Sequence, residues 1–295
     1  MRDPDFLIIG AAKSATTSLA DQLRRHPQIG IPSRKELNHF SHDLQFEKGI
    51  DHYRLRLAEA GTCVSLGEAS PTYTLRHAYP HAAERISRHL PGVRLVFIAR
   101  DPIRRIESQH LFDRHVKKRP AAAADFAADV EHRRELIDGS RYAWMLEPYL
   151  DRFPRSRMLF LTFEDYQRAP IEVCGRVQAF LGVDVCEVPA TSASNSSGST
   201  PEWFGSLVGT GLARLVGRSL PPETRRRIRY LVRRRVSRPI WPEALRRRVE
   251  DELRADALEY LKLAERDEGH WGIGTAPSST ESLVPTAASA TRRAA

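Results

Sequence analysis

The sequence predicts an α/β fold of three layers, with helices on both faces of a central parallel sheet. Short apolar runs of strand length alternate with longer helical patterns, and polar residues follow each run. Runs rich in Val, Ile, Leu and Phe are typical of parallel strands that are buried on both faces. They occupy residues 6–9, 64–66, 93–99 and 158–163.

Helical patterns fill the intervals between these strands, and Pro or Gly ends most of them. We expect helices at residues 16–26, 77–89, 103–116, 141–153 and 171–181, and an amphipathic C-terminal helix at 242–265. A stretch rich in Ser, Thr, Asn and Gly at 190–201 predicts a loop.

The length of 295 residues, with 41% of them hydrophobic, favours one domain with a sizeable core. We predict a single domain over residues 1–271, with its core at 6–181 and a helical C-terminal part at 200–266. Residues 272–295 lack periodicity and large aromatic side chains, which predicts a disordered tail.

The formal charge of +9 is typical of a protein that handles anions. Much of the excess comes from an arginine run interleaved with apolar residues: Arg225, Arg226, Arg227, Arg229, Arg233, Arg234 and Arg235. This run is either a solvated helix face or a contact for an anionic membrane or an acceptor. No nucleic-acid motif accompanies it, so we expect no nucleic-acid partner. The oligomeric state is not readable.

Three cysteines, Cys63, Cys174 and Cys186, show no CxxC spacing and no nearby His pair, so we expect reduced, mostly buried thiols and no metal site. The apolar run before Gly10 is too short for a signal peptide. No apolar stretch approaches the ~18 residues that span a bilayer. We therefore expect a cytoplasmic protein.

The first strand leads into a loop of small residues and then directly into a helix; the loop runs Gly10, Ala11, Ala12, Lys13, Ser14, Ala15, Thr16, Thr17 and Ser18. Such P-loop-like architecture binds phosphate, because backbone N–H groups at a helix start point at the anion and Lys13 adds a positive charge. A Walker A loop would place a Gly before the Lys. This departure weakens an ATPase or GTPase interpretation.

The pattern from Lys13 to Thr17 resembles the phosphosulfate loop of sulfotransferases that depend on 3'-phosphoadenosine 5'-phosphosulfate (PAPS), especially the heparan sulfate and bacterial branch. The resemblance implies that the residues from Lys13 to Ser18 hold PAPS. Ala15 stands where that family usually has Gly, so either its backbone tolerates a Cβ or the loop is reshaped.

Arg100 follows the third predicted strand, in the segment R-D-P-I-R-R-I-E-S that ends at Ser108. An Arg at a strand's carboxyl end can direct its donor fork into a ligand crevice. The segment resembles the family's R-[DN]-P-x-x-R-x-x-S, which implies that Arg100 and Ser108 bind the 3'-phosphate. A structural salt bridge of Arg100 is the alternative.

A third segment, residues 34–40, resembles the family's K-E-x-x-F-F, in which the carboxylate is the catalytic base. This assigns Glu36 as base and Lys13 as the group that stabilises charge on the leaving oxygen. His39 replaces the first Phe and is a rival base, since histidine titrates near neutral pH. An ion pair of Glu36 with Lys35 or Arg34 is the structural alternative.

Residues 67–73 resemble the family's G-E-x-[ST]-P-x-Y, where Glu68 and Tyr73 have either a structural role or a substrate contact. The resemblance covers about residues 6–181. It implies in-line transfer of a sulfuryl group from PAPS, without a metal, to a carbohydrate, glycolipid or small natural product. The competing hypotheses are a nucleotide-dependent kinase or NTPase and a non-enzymatic anion-binding module.

Overall fold

A computed structural model describes residues 2–115, 125–189 and 238–273 of the chain. Five parallel strands form one sheet: β1 (Phe6–Gly10), β2 (Ile29–Gly30), β3 (Ser65–Ala69), β4 (Arg94–Ala99) and β5 (Met158–Thr162). Their order across the sheet is β2-β3-β1-β4-β5, so β1 is the central strand. The predicted α/β class is confirmed.

Helices connect these strands and cover both faces of the sheet. In chain order they are α1 (Thr16–Leu23), α2 (Asp43–Phe46), α3 (Ile50–Ala58), α4 (Ala82–His89), α5 (Pro102–His115), α6 (Phe126–His132), α7 (Arg134–Asp138), α8 (Tyr142–Leu150), α9 (Phe163–Arg168), α10 (Pro170–Leu181) and α11 (Glu243–Leu263). Short 3₁₀ helices occupy Pro71–Thr74, Arg155–Arg157 and Glu268–Trp271.

The structure differs from the predicted elements in several places. The helix expected from residue 77 begins at Ala82, because Pro80 disfavours helical backbone in the residue before it. The strand expected at 64–66 lies at Ser65–Ala69, and Val64 is exposed. Strand β2 was not predicted, because two residues are too short to show a period.

Alternate side chains of the strands enter two separate cores, as buried parallel strands require. Leu7 and Ile9 of β1 face the larger core, which α3, α4, α8 and α11 complete. Phe6 and Ile8 face the other core, against α1 and α10. The sheet is therefore the middle of three layers.

The C-terminal helix α11 ties the chain back onto this sheet. Its Tyr260 lies fully buried and donates a hydrogen bond to the Leu161 carbonyl at 2.6 Å. Packing continues to Ile273, which is buried in the larger core. The loop at 190–201, the arginine run at 225–235 and the tail from 274 lie outside the described residues.

The cysteines are free thiols with unequal exposure. Cys174 is buried, Cys63 is half-buried and Cys186 is exposed, so the expectation of mostly buried thiols was wrong for Cys186. Within the described ranges, no helix combines the length and apolar character needed to cross a bilayer.

Arg105 on α5 fixes the turn between α7 and α8. Its guanidinium is buried and donates to the Leu136 carbonyl and to Ser140 Oγ, both at 3.0 Å. A Cβ added at Gly139 would lie 2.5 Å from Arg105 Nη2. Since Arg105 is enclosed and held by two hydrogen bonds, it has no room to move aside.

We expect Gly139→Ala to lower the free energy of unfolding by roughly 1–3 kcal/mol through this overpacking. Gly175→Ala is the matched control, because a Cβ there meets Val185 Cγ1 at an ordinary 3.5 Å within α10. Alanine at position 175 should stabilise the helix by roughly 0.5–1 kcal/mol. Urea unfolding measures the free energy of unfolding of both variants, which should change in opposite directions. An equal change in the two variants would contradict overpacking at position 139.

Candidate active site

The predicted site segments meet at the carboxyl edge of the sheet. The loop from Gly10 leaves β1, Ser70 follows β3 and Arg100 follows β4, and these three strands are adjacent. Parallel sheets bind ligands at this edge, because their strand ends and helix starts converge there. The fold therefore brings the loop, the segment around Ser70 and Arg100 to one crevice.

Gly10 lets β1 turn into the loop without a clash. A Cβ at this position would lie 2.3 Å from Thr74 Oγ1 and 2.5 Å from Phe97 Cε2. Thr74 Oγ1 also donates to the Ile9 carbonyl at 3.0 Å, so the 3₁₀ helix after β3 packs directly against the end of β1. Only glycine fits between these neighbours.

The loop backbone is shaped for an anion. Lys13 and Ala15 have φ values of 72° and 67°, in the left-handed region that favours glycine. Ala15 is the N-cap of α1 and makes no side-chain hydrogen bond to the helix. The first-turn N–H groups of α1 have no acceptor within the helix, so they are available to a bound anion.

Ser14 adds a hydroxyl that is fully buried beneath this loop. Its Oγ has no hydrogen-bond partner within the part of the chain that the structure describes. A buried polar atom without a partner is costly unless a ligand or water satisfies it. Thr16 is also buried, whereas Ser18 is half-buried and Thr17 is exposed. The loop residues fit a phosphosulfate group.

Lys13 points toward helix α5. Its Nζ lies 3.7 Å from the centroid of the Phe112 ring, a cation–π contact. Ser108 lies four residues before Phe112 and therefore on the same face of α5. The structure thus brings Lys13 and the Ser108 face of α5 together, which the two sequence segments alone did not establish.

Arg100 lies half-buried at the end of β4. Its guanidinium carbon lies 4.6 Å from the centroid of the Phe163 ring. Burial lowers the pKa of Arg100, and Glu164 partly opposes this shift. Among the described residues, Arg100 forms no ion pair within 4.0 Å, so the structural salt bridge considered as the alternative is not observed.

Glu36 lies on a segment that is fastened to the end of β3. Its Oε1 accepts from Lys35 Nζ at 2.6 Å, so the ion pair considered as the structural alternative is present. The Glu36 side chain remains 46% exposed, and Lys35 only 11%. This carboxylate is accessible to a substrate.

His39 is enclosed by aromatic rings and is only 3% exposed. It stacks on Tyr53 at 4.8 Å and contacts the rings of Phe40 and Phe46. Burial lowers the pKa of His39 to about 4, and positive charge from its neighbours adds to the shift. The side chain is therefore neutral and a weak base near pH 7.

Glu68 lies within β3 and is fully buried, so it contacts no substrate from solvent. Its Oε2 accepts from Ser70 Oγ at 2.6 Å, and its Oε1 accepts from the hydroxyls of Tyr73 and Tyr53. Burial raises the pKa of Glu68 to about 7, against the hydrogen bonds that lower it. Of its two predicted roles, the structural one fits.

Two residues from the end of β5 lie near Arg100. The Phe163 ring lies against the Arg100 guanidinium, and Glu164 accepts from the Asp101 backbone N–H at 3.1 Å and from Trp271 Nε1 at 2.9 Å. The sequence does not assign them to the site, because they reach Arg100 through the pairing of β4 with β5. For Phe112, the sequence offers one weak signal of a place near the site, which is its spacing of four residues from Ser108 on a predicted helix.

A family model described as a sulfotransferase domain matches residues 3–197, two thirds of the chain. The chain belongs to the sulfotransferase domain family. The predicted family resemblance is therefore confirmed.

Curated relatives of this sulfotransferase include a mouse heparan sulfate glucosamine 3-O-sulfotransferase 3B1. It is 31% identical over 61% of the chain and 46% of its own length. The bifunctional heparan sulfate N-deacetylase/N-sulfotransferase 1 of Caenorhabditis briggsae is 28% identical over 63% of the chain and 23% of its own length. The chain therefore spans less than half the length of these relatives.

A solved sulfotransferase from Alicyclobacillus acidocaldarius has the same fold. Its TM-score is 0.65 with 24% sequence identity, and the match covers 92% of this chain and 99% of the other. A match over 92% of the chain extends past residue 181, where the sequence motifs end.

The left-handed Ala15 predicts a stabilising substitution. We expect Ala15→Gly to raise the free energy of unfolding by roughly 0.5–1 kcal/mol, because glycine adopts φ of 67° without the Cβ penalty. Ala255→Gly, at an exposed position inside α11, should lower it by roughly 1 kcal/mol. Thermal and urea unfolding measure the stability of both variants. A loss of stability in Ala15→Gly as well as in Ala255→Gly would contradict backbone strain at Ala15.

The pKa of Glu68 predicts a pH-dependent stability. Because burial raises it from 4.5 to about 7, the folded chain binds more protons than the unfolded chain between these values. The free energy of unfolding should therefore fall as pH rises through this window, with a contribution of about 3 kcal/mol from Glu68. Urea unfolding from pH 5 to 7.5 should show a shallower fall in Glu68→Gln. The exposed Glu187→Gln should keep the parent slope, and the same slope in all three proteins would refute the assignment.

Proposed function

We propose that this chain transfers a sulfuryl group from PAPS to a hydroxyl or amine of an acceptor. The observation that carries the proposal is the loop after β1, which holds Lys13, the buried Ser14 hydroxyl without a partner in the described chain, and the first-turn N–H groups of α1. These donors suit the tetrahedral oxygens of a phosphosulfate. Membership of the sulfotransferase domain family supports PAPS as the donor.

Arg100 and Ser108 would bind the 3'-phosphate of the donor. Arg100 lies beside the loop at the end of the neighbouring strand, half-buried and without an ion pair in the described ranges. Ser108 shares a helix face with Phe112, which contacts Lys13. A site of this form selects a nucleotide that is phosphorylated at both the 3' and 5' positions.

The chemistry needs in-line positioning and neutralisation of charge on the leaving oxygen. The acceptor oxygen or nitrogen forms a bond to sulfur as the bond from sulfur to the bridging oxygen breaks. The acceptor proton passes to Glu36, and Lys13 stabilises the negative charge on adenosine 3',5'-bisphosphate. We assign the base to Glu36 rather than His39, because Glu36 is accessible and His39 is enclosed.

The acceptor that we would test first is a carbohydrate. The relatives are named for heparan sulfate, which supports a glycan hydroxyl or amine over a glycolipid or a small natural product. The exposed Glu36 carboxylate suits an acceptor that approaches from solvent. Location in the cytoplasm and membrane contact through residues 225–235 stay predictions.

Calorimetry with adenosine 3',5'-bisphosphate and with ATP plus Mg²⁺ tests the donor. Binding of the bisphosphate should be at least tenfold tighter, because the Arg100 and Ser108 pair reads the 3'-phosphate. Tighter binding of ATP would reverse the proposal in favour of a kinase or NTPase.

Single variants should separate chemistry from binding. Glu36→Gln should lower kcat by roughly 10²–10⁴-fold with little change in donor affinity, because it removes only the base. Lys13→Ala should abolish transfer. Arg100→Ala should weaken bisphosphate binding by roughly 10–100-fold, the value of a charge-assisted hydrogen bond.

Arg104→Ala is the matched control for Arg100→Ala. Arg104 lies four residues along the same segment, is 40% exposed and pairs with Glu107 at 3.2 Å. Its removal should leave bisphosphate affinity within twofold of the parent, roughly the effect of a surface ion pair.

Full transfer activity in Glu36→Gln would show that Glu36 is not the base of the transfer reaction.

A further inference from the structure

The segment at residues 35–41, which carries Glu36, is fastened to the end of β3 by a series of hydrogen bonds. The Ala69 N–H donates to the Lys35 carbonyl at 3.0 Å, and the Asn38 N–H donates to Ser70 Oγ at 3.0 Å. Thr72 Oγ1 donates to Asn38 Oδ1 at 2.8 Å. The position of Glu36 therefore depends on the residues that follow β3.

Glu68 lies at the base of these contacts. Its carboxylate accepts from Ser70 Oγ at 2.6 Å. The Ser70 oxygen in turn accepts from the Asn38 N–H, so Ser70 links Glu68 to the backbone at Asn38. Glu68 thus holds the backbone on the C-terminal side of Glu36 through Ser70.

Lys35 connects Glu68 with Glu36 electrostatically. Its Nζ lies 2.6 Å from Glu36 Oε1, and its positive charge also stabilises the Glu68 carboxylate. Lys35 is only 11% exposed, so water screens these attractions weakly. The Lys35 ammonium group therefore attracts both carboxylates and orients the side chain of Glu36.

We propose that Glu68 is a positioning residue of the sulfuryl transfer, which fixes the segment at 35–38 so that the Glu36 carboxylate is held toward the acceptor. The inference rests on the proposed function, in which Glu36 is the base. Glu68 itself contacts no substrate, because it is fully buried. It acts through Ser70 and Lys35.

This role explains why a carboxylate lies in the sheet. Three hydroxyl donors converge on Glu68, those of Ser70, Tyr73 and Tyr53. A carboxylate accepts from all of them, whereas an amide has one acceptor oxygen and adds two donors of its own. Glu68→Gln preserves the shape of the side chain but leaves the donors short of acceptors.

Hydrogen exchange tests the attachment without a substrate. In Glu68→Gln and in Ser70→Ala, amide exchange of the peptide that covers residues 35–41 should accelerate by roughly tenfold or more, the value of a lost hydrogen bond to a charged or buried group. Ser65→Ala is the matched control, because Ser65 lies buried on the same strand and its Oγ makes no hydrogen bond in the described chain. Its exchange at 35–41 should equal that of the parent. Unchanged exchange in a folded Ser70→Ala or Glu68→Gln variant would overturn the proposal.

Steady-state kinetics test the consequence for catalysis, with PAPS as donor and a desulfated heparan sulfate oligosaccharide as the probe acceptor. Both variants should lower kcat by roughly tenfold or more while the KM for PAPS stays within twofold, since a displaced base affects chemistry and not donor binding. A distorted donor site would raise the KM for PAPS as well, and that result would reject a positioning role. Circular dichroism of each variant confirms that the fraction of folded enzyme, which scales the apparent kcat, equals that of the parent. Unaltered kcat in both variants would also reject it.

Hydrogen exchange and steady-state kinetics together distinguish a failure of the Glu68 role from a failure of the proposed function. If the parent neither binds adenosine 3',5'-bisphosphate nor transfers sulfate, the proposed function fails, and hydrogen exchange alone then decides whether Glu68 holds the segment. If the parent is active and exchange at 35–41 is unaltered in the variants, only the role of Glu68 fails.

Discussion

The structure depends on the placement of β1 between β3 and β4. This central position brings the end of β1 against the 3₁₀ helix after β3, so close that only glycine fits at position 10. It also places Arg100, at the end of β4, beside the loop that follows Gly10. The proposed functions of the loop, Arg100 and Ser108 follow from this adjacency, because these residues come after β1 and β4, whose carboxyl ends lie side by side.

Two kinds of interaction hold the crevice in shape. Backbone conformation forms the loop, where Lys13 and Ala15 adopt left-handed φ values. Buried polar contacts form the walls, with Glu68 beneath the segment of Glu36 and Arg105 beneath the turn at Gly139. Buried polar groups must be satisfied, so they specify one arrangement more strictly than apolar contacts do.

The aromatic contacts have a different consequence. Phe112 and Phe163 lie against the cationic groups of Lys13 and Arg100, and Tyr142 donates to the Arg100 carbonyl at 2.6 Å. An aromatic face attracts a cation but has no net charge. It therefore does not neutralise the cation, whereas a carboxylate does. Both cationic groups are therefore packed against an aromatic ring at this edge of the sheet.

The sequence by itself determined the α/β class, most of the strands and the loop from Gly10 to Ser18, because hydrophobic period and small-residue loops are local signals. It also identified Arg100, Ser108 and Glu36 through the family resemblance. Only the tertiary structure decided that Glu68 is buried in β3, that His39 is enclosed and that Lys13 contacts Phe112. Those properties depend on contacts between residues far apart in the chain, and burial sets both the pKa values and the accessibility of the groups.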